Sequence, residues 1–236
     1  MQDSLPSTSD ACIELAEAGE PTGLAILARR QTRARGSRGR SWSEPPAGNL
    51  ALSVLLRPAG DLPASGVWPL IAGLALHEAL ACGHAQGHLS LKWPNDVMLD
   101  GRKLAGILIE RGLGGGHDWL VVGFGANLAA APELPDRVAA CLAELGPPPT
   151  PDEVAPRLLA ALDHWMRLWA AEGLPAIRTA WLDRAHPIGA ALAVRVGGAQ
   201  TAGTFAGLDE DGALLLRHDA GVHRIDTGEI LLSGGS

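Results

Sequence analysis

Several chemistries leave no trace in this 236-residue sequence. Cysteine occurs three times, at Cys12, Cys82 and Cys141, with no CxxC pair. Neither a disulfide framework nor a structural zinc site is indicated, and the thiols are expected to fill core. There is no GxxxxGK[ST] phosphate loop, no HExxH pair and no GxSxG elbow, which removes support from the common ATPases, zinc hydrolases and serine hydrolases. Met1 to Asp10 lack the basic region and apolar run of a secretory signal, and no apolar stretch is long enough to span a bilayer. A cytoplasmic protein with no membrane partner is therefore expected. Lysine is also scarce, with Lys92 and Lys103 standing against seventeen arginines.

What is present suits a folded globular protein. Hydrophobic residues make up 47% and charged residues 19%, far from disordered or fibrous compositions, and the length allows a catalytic domain plus a small appended one. The net charge of −7 argues against a surface that embraces nucleic acid throughout. Yet six arginines crowd the twelve positions from Arg29 to Arg40, with Gly36 and Gly39 among them. Such a loop can be a solvated tail, a grip on a nucleic-acid backbone, or a cover for a phosphate-bearing ligand. Flanking apolar strands and the lack of other basic surface favour the third.

Along the chain, Ser7 to Asp10 cap a short helix over Ala11 to Ala18 that ends at Gly19. Strands are predicted at Gly23 to Ala28 and Asn49 to Leu56, with a core helix over Val67 to Cys82. Four more strands follow: Leu89 to Trp93, Val97 to Leu99, Lys103 to Glu110 and, after a turn at Gly112 to Gly116, Trp119 to Phe124. Helical patterns cover Asp136 to Leu145, Glu153 to Ala171 and Pro175 to Ala185, with the proline cluster Pro147 to Pro151 between the first two. Beyond Pro187 short strands alternate with turn signals such as Gly197-Gly198, which suits a small β-barrel and puts a boundary near His186.

Both lysines fall in one stretch, Lys92-Trp-Pro-Asn-Asp96 through Lys103-Leu-Ala-Gly-Ile107. A chain that elsewhere uses arginine either kept lysine where a compact ammonium matters or kept it by chance. Asn95 and Asp96 follow Pro94, where they either enter a cleft, with Asp96 suited to magnesium, or merely shape the turn. Gly106, in a strand-like run, marks either a ligand's close approach or a bulge.

Together these segments resemble the catalytic domain of biotin protein ligases, in the same order and at workable spacings. The matching segments are Gln31-Thr32 with Arg35 to Trp42 (RGSRGRSW), Asn49-Leu50, KWPND at 92–96, KLAGI at 103–107 and Gly123 to Asn127. Ser7-Thr8 resembles the family's Ser-Thr pair for the ureido ring of biotin. Gly212 to Leu216 and Gly228 to Ile230 resemble its small closing domain.

The resemblance covers nearly the whole chain. It implies an α+β fold, with a mixed sheet and flanking helices of the class II aminoacyl-tRNA synthetase-like kind over 1–186 and an SH3-like β-barrel over 187–236. The implied activity is an ATP-dependent ligase that forms biotinyl-5′-AMP and biotinylates a lysine of a biotin carboxyl carrier protein, with Mg2+. On the same resemblance, Ser7, Thr8, Gln31, Arg35, Gly36, Trp42, Lys103 and Gly106 bind biotin. Arg35, Arg38, Arg40, Lys92, Asn95 and Asn127 bind the nucleotide, Asp96 binds the metal, and Lys103, Arg35 and Arg38 are catalytic. The chain departs from the family's glycine and arginine loop at Ala34 and Ser37. Longer members carry an amino-terminal DNA-binding domain, whereas the motifs here start almost at residue 1, so a monomeric or homodimeric enzyme without a DNA partner is expected. A lipoate or related acyl-carrier ligase and a non-catalytic biotin-binding protein are the alternatives.

Overall fold

Leu50 to Leu56 is buried at every position, as a strand covered on both faces must be. In the computed structural model, which describes residues 1–42, 48–58, 66–114, 117–134 and 138–231, this segment lies inside a six-stranded sheet. The strands are β1 (Ala25–Leu27), β2 (Leu50–Leu56), β3 (Leu89–Lys92), β4 (Asp96–Leu99), β5 (Arg102–Gly114) and β6 (His117–Ala126). Their order is β1-β2-β6-β5-β4-β3. Neighbouring strands pair antiparallel, and parallel bridges join Gln2 to Ala28, Leu5 to Gln31 and Leu91 to Ala185.

Side chains alternate across a strand, and the two faces are filled differently. Leu52, Val54 and Leu56 of β2 with Leu120, Val122 and Phe124 of β6 belong to the main core, shared with α2 (Val67–Leu80), α3 (Pro151–Glu172) and α4 (Leu174–Leu182). Leu55, Trp119 and Val121 point the other way, onto Cys12 and Ala16 of α1 (Thr8–Glu17). Cys12 and Cys141 are buried, as expected of core thiols, but Cys82 is half-buried and accepts a contact from Arg157.

Two helical expectations need correction. The segment from Asp136 to Leu145 holds one 3-10 turn, Leu142–Leu145, and residues 135–137 lie outside the described residues. Here the backbone closes onto the ends of the sheet, with Ala140 N donating to Lys103 O and Leu142 N to Asn127 O; those carbonyls compete with helical bonds. Conversely, α3 starts inside the proline cluster. Thr150 and Glu153 form a capping box and Pro151 takes the first turn, where a missing N–H costs nothing. The glycine turn after β5 is also shorter than expected, since Gly112 and Gly114 remain in the strand.

A second sheet, β7 (Ala191–Val196), β8 (Ala199–Leu208), β9 (Leu214–His218), β10 (Gly221–Ile225) and β11 (Glu229–Leu231), has the order β10-β9-β8-β7-β11. Gly197 and Gly198, both at positive φ, make its first hairpin turn. Among the described residues its strands do not close into the expected barrel. It packs tightly on the first unit: a Cβ on Gly66 would meet Asp211 O at 2.1 Å, Trp93 Nε1 donates to Gly212 O at 3.2 Å, and Leu192, Val194 and Phe205 join the main core. Among the described residues no helix is long and apolar enough to cross a membrane.

Candidate active site

A cleft of about 920 Å3, counted to its open mouth, lies over β5 and β6. Its floor is largely main chain. Gly106 stands opposite Gly125, and Gly123 opposite Leu108. A Cβ on Gly125 would fall 2.9 Å from the Trp42 ring, one on Gly106 3.1 Å from it and 3.2 Å from Lys103 Nζ, and one on Gly123 2.6 Å from Ser9 Oγ. These glycines let two walls approach the sheet.

One wall is the first turn of α1. Ser7 caps the helix by accepting from Asp10 N at 3.2 Å. Thr8 donates to Gln31 Oε1 from its backbone N (2.8 Å) and its hydroxyl (3.1 Å). Behind them Ser53 Oγ donates to Thr8 Oγ1 at 2.9 Å and lies 3.1 Å from Ser9 Oγ. Ser7, Thr8, Ser9 and Ser53 are all buried.

The other wall is the arginine loop, whose base is pinned by Gly36 N to Arg40 O and Trp42 N to Ala34 O. Arg35 reaches the cleft, but its guanidinium is engaged by Asp10 at 2.7 Å and in a fork by Glu110 at 2.9 and 2.5 Å. Arg40 also lines the cleft and pairs with Glu229 of β11 at 2.8 Å, so the second sheet touches the loop. The Arg38 side chain lies outside the described residues.

At the far end Lys103 Nζ sits 5.5 Å from the centre of the Trp42 ring, within cation–π range, and donates to Asp96 Oδ1 at 2.6 Å. Lys92 Nζ lies 3.4 Å from Asp96 Oδ2. Burial alone would raise the Asp96 carboxyl, but the two ammonium groups outweigh it and hold the acid below its usual range. Burial lowers Lys92, with Asp96 opposing. Two cations on one carboxylate leave net positive charge beside the cleft.

Asp96 and Lys92, expected at metal and nucleotide, therefore stand behind the lining as supports for Lys103. Asp96 has both oxygens engaged by the two lysines, and among the described residues no group of three or more His, Cys, Asp or Glu could hold a metal, so a magnesium ion here would be held mainly by the phosphates of ATP. Asn95 lines the cleft, yet its amide is committed to Ile107 O at 2.6 Å. Asn127 also lines it; its Nδ2 donates to Ala140 O at 3.0 Å, while its buried Oδ1 has no partner.

The geometry agrees with comparisons to known proteins. Residues 2–127 match the biotin/lipoate A/B protein ligase family, and residues 188–233 match the biotin protein ligase C-terminal domain. The chain belongs to the biotin/lipoate A/B protein ligase family. A relative in Paracoccus denitrificans, a biotin--[acetyl-CoA-carboxylase] ligase, is 41% identical over 218 residues, covering 89% of this chain and 90% of that one. The bifunctional ligase/repressor BirA of Escherichia coli is 33% identical, covering 89% and 67%. Among solved structures, the biotin protein ligase from Aquifex aeolicus in complex with biotin and ATP superposes with a TM-score of 0.83 at 29% identity, covering 98% of this chain and 97% of that chain.

Within this family fold, Ser7, Thr8, Gln31, Arg35, Gly36, Arg40, Trp42, Asn95, Lys103, Gly106 and Asn127, the predicted site residues apart from Arg38, Lys92 and Asp96, come together around the cleft. Ser9 and Glu229, which the sequence places only in a helix cap and in the closing domain, and Ser53 are not among the predicted site residues. A serine one position past a recognised pair could have been noticed; Ser53 and Glu229 carry no local signal, because their partners lie 45 and 189 residues away.

Proposed function

We propose that the chain is a ligase that uses ATP to activate biotin as biotinyl-5′-AMP and then biotinylates a lysine of the biotin carboxyl carrier protein of acetyl-CoA carboxylase or a similar enzyme. The observation that carries the reading is Lys103. A largely shielded carboxylate and an aromatic ring hold its ammonium at the glycine floor, opposite a wall of buried hydroxyls suited to a polar ring.

The wall of Ser7, Thr8 and Gln31 binds the ureido ring, and Trp42 with the apolar lining covers the rest of the biotin. The carboxylate then lies near Lys103. Its oxygen attacks the α-phosphorus of ATP and pyrophosphate leaves. Two anions must meet, so the cation at Lys103 offsets their repulsion and the charge that develops in the transition state. Asp96 and Lys92 keep that ammonium in place. Arg35 and Arg40 reach a phosphate by exchanging their present carboxylates for it, and Asn127 Oδ1 offers an acceptor to the base. Arg38 is assigned to the nucleotide by its place in the loop. Magnesium would be held mainly by the phosphates of ATP and would offset their charge; Asp96 is not assigned to it. In the second step a carrier lysine amine attacks the mixed anhydride, AMP leaves and an amide forms; covering the anhydride keeps water from competing. Residues 1–186 carry these groups and 187–236 brace the loop through Glu229.

Biotin-dependent exchange of labelled pyrophosphate into ATP, with lipoate in parallel, tests the reading. Exchange with biotin alone is expected. Exchange with lipoate alone would move the chain to the other branch of its family, and exchange with neither would reject catalysis.

A further inference from the structure

The hydroxyl wall has a fixed polarity. Backbone N–H groups only donate, so Thr8 N fixes which end of the Gln31 amide faces it: the oxygen, at 2.8 Å. That oxygen cannot donate, so the Thr8 hydroxyl must give it its single proton, at 3.1 Å. Thr8 Oγ1 is then an acceptor toward Ser53, whose own proton is used at 2.9 Å. Ser53 can therefore meet Ser9, at 3.1 Å, only as an acceptor, and Ser9 must donate. One backbone N–H thus orders the row Ser9 to Ser53 to Thr8 to Gln31, and each hydroxyl proton in it is spent. The cleft receives only lone pairs from Thr8 and Ser9. Ser7 is the reverse case: its oxygen accepts from Asp10 N, and its proton has no acceptor among the described residues. The first turn of α1 displays one donor beside two acceptors, the complement of a cyclic urea with its C=O between N–H groups.

We infer that Ser53, a buried residue outside the cleft lining, is a specificity-determining positioning residue that fixes Ser9 as an acceptor beside Thr8, which Gln31 holds in the same sense, for the N–H groups of a urea ring. This rests on the biotin reading above. Ser53 is fully buried on β2 and cannot touch the ligand. Without its oxygen, the Ser9 proton turns toward the cleft and meets a ligand N–H head on, while Thr8 keeps its bond to Gln31. A site built for hydrogen bonds rejects a ligand that leaves them unmade. A dithiolane acid, which has no N–H, gains nothing from this wall.

The test is calorimetric titration of wild type and Ser53→Ala with biotin and with biotin methylated on its ureido nitrogens, together with melting temperatures and pyrophosphate exchange. The inference expects Ser53→Ala to weaken biotin by about tenfold and the methylated analogue little, shrinking the discrimination between them. The ATP KM, and kcat at saturating biotin, should stay unchanged. Equal weakening of both ligands, or of neither, overturns it. If Ser53→Ala fails to fold, Ser9→Ala carries the same comparison, with loss for biotin but not for the analogue. A wild type that does not bind biotin rejects the proposed function itself, a result distinct from binding that ignores Ser53.

Discussion

Lys103 Nζ donates to Asp96 Oδ1 at 2.6 Å across the turn between β4 and β5, while Lys92 approaches the other oxygen of the same carboxylate. A four-residue strand and a tight turn thus deliver both lysines of the chain to one acid. The pair is largely shielded, with side-chain exposures of 21% and 12% for Lys103 and Asp96. Removing either member leaves a charge in poor solvent, and the two removals should have different consequences.

Lys103→Ala is expected to fold and to lose pyrophosphate exchange by about a hundredfold or more, the scale of one well-placed electrostatic contact in a transition state. Lys103→Arg should not restore it, because the planar fork cannot take the place of a compact ammonium between Trp42 and Gly106. Exchange at the wild-type rate in either variant would remove Lys103 from the chemistry.

Asp96→Asn should destabilise the fold at neutral pH by about 3 kcal/mol, as when one partner of a buried ion pair is deleted. The Asp96 carboxyl lies below its ordinary value in the folded state. Its stabilisation is therefore complete above the unfolded value and is lost as pH falls through the folded one. Denaturant unfolding at pH 7 and in strong acid should show the gap between wild type and variant closing only on the acid side. A gap that does not change with pH would mean the asparagine fails for steric reasons.

Arg35→Ala is expected to cost little stability, under about 1 kcal/mol, since its side chain is 38% exposed and solvent screens its pairs with Asp10 and Glu110. Its loss should appear instead as biotinyl adenylate escaping about tenfold faster, the scale of a charge-assisted contact. Rapid filtration of the preformed adenylate would measure this, and unchanged release would assign Arg35 to scaffolding.

His186 lies where the two units meet; its Nε2 is buried without a partner. Burial first, and the Lys92 charge second, lower its pKa from 6.5. The folded state holds it neutral, so its contribution is fully present above 6.5 and declines as pH falls below that toward the lowered value. The melting temperature of wild type should drop between pH 7 and pH 5.5, and His186→Leu should flatten part of that drop without cost at pH 7.5. An equally steep drop in the variant would place the acid sensitivity elsewhere, His77 being the other half-buried histidine with a lowered pKa.

Much of this was legible along the chain because it is local. The continuous apolar run of β2, the apolar α2, the Gly197-Gly198 turn and the KWPND and KLAGI segments are signals of a few residues each. What was not legible depends on partners distant in sequence. The extended path at 138–141 is fixed by carbonyls of Lys103 and Asn127, and the engagement of Arg35 by a helix and a strand far from the loop; the start of α3 is different, since its Thr150-x-x-Glu153 capping box is a local signal. Asp96 was read as a metal ligand because a carboxylate near phosphates invites that reading; only the fold brings both lysines onto it.

Gly106 and Gly125 face one another across β5 and β6, so the bottom of the cleft has no side chains left to trim. Its depth is a property of strand register, which point mutation cannot deepen. Diversification toward longer or bulkier acids is confined to the sides, at positions such as Trp42 and Leu134. Every substitution at the floor can only make the pocket shallower.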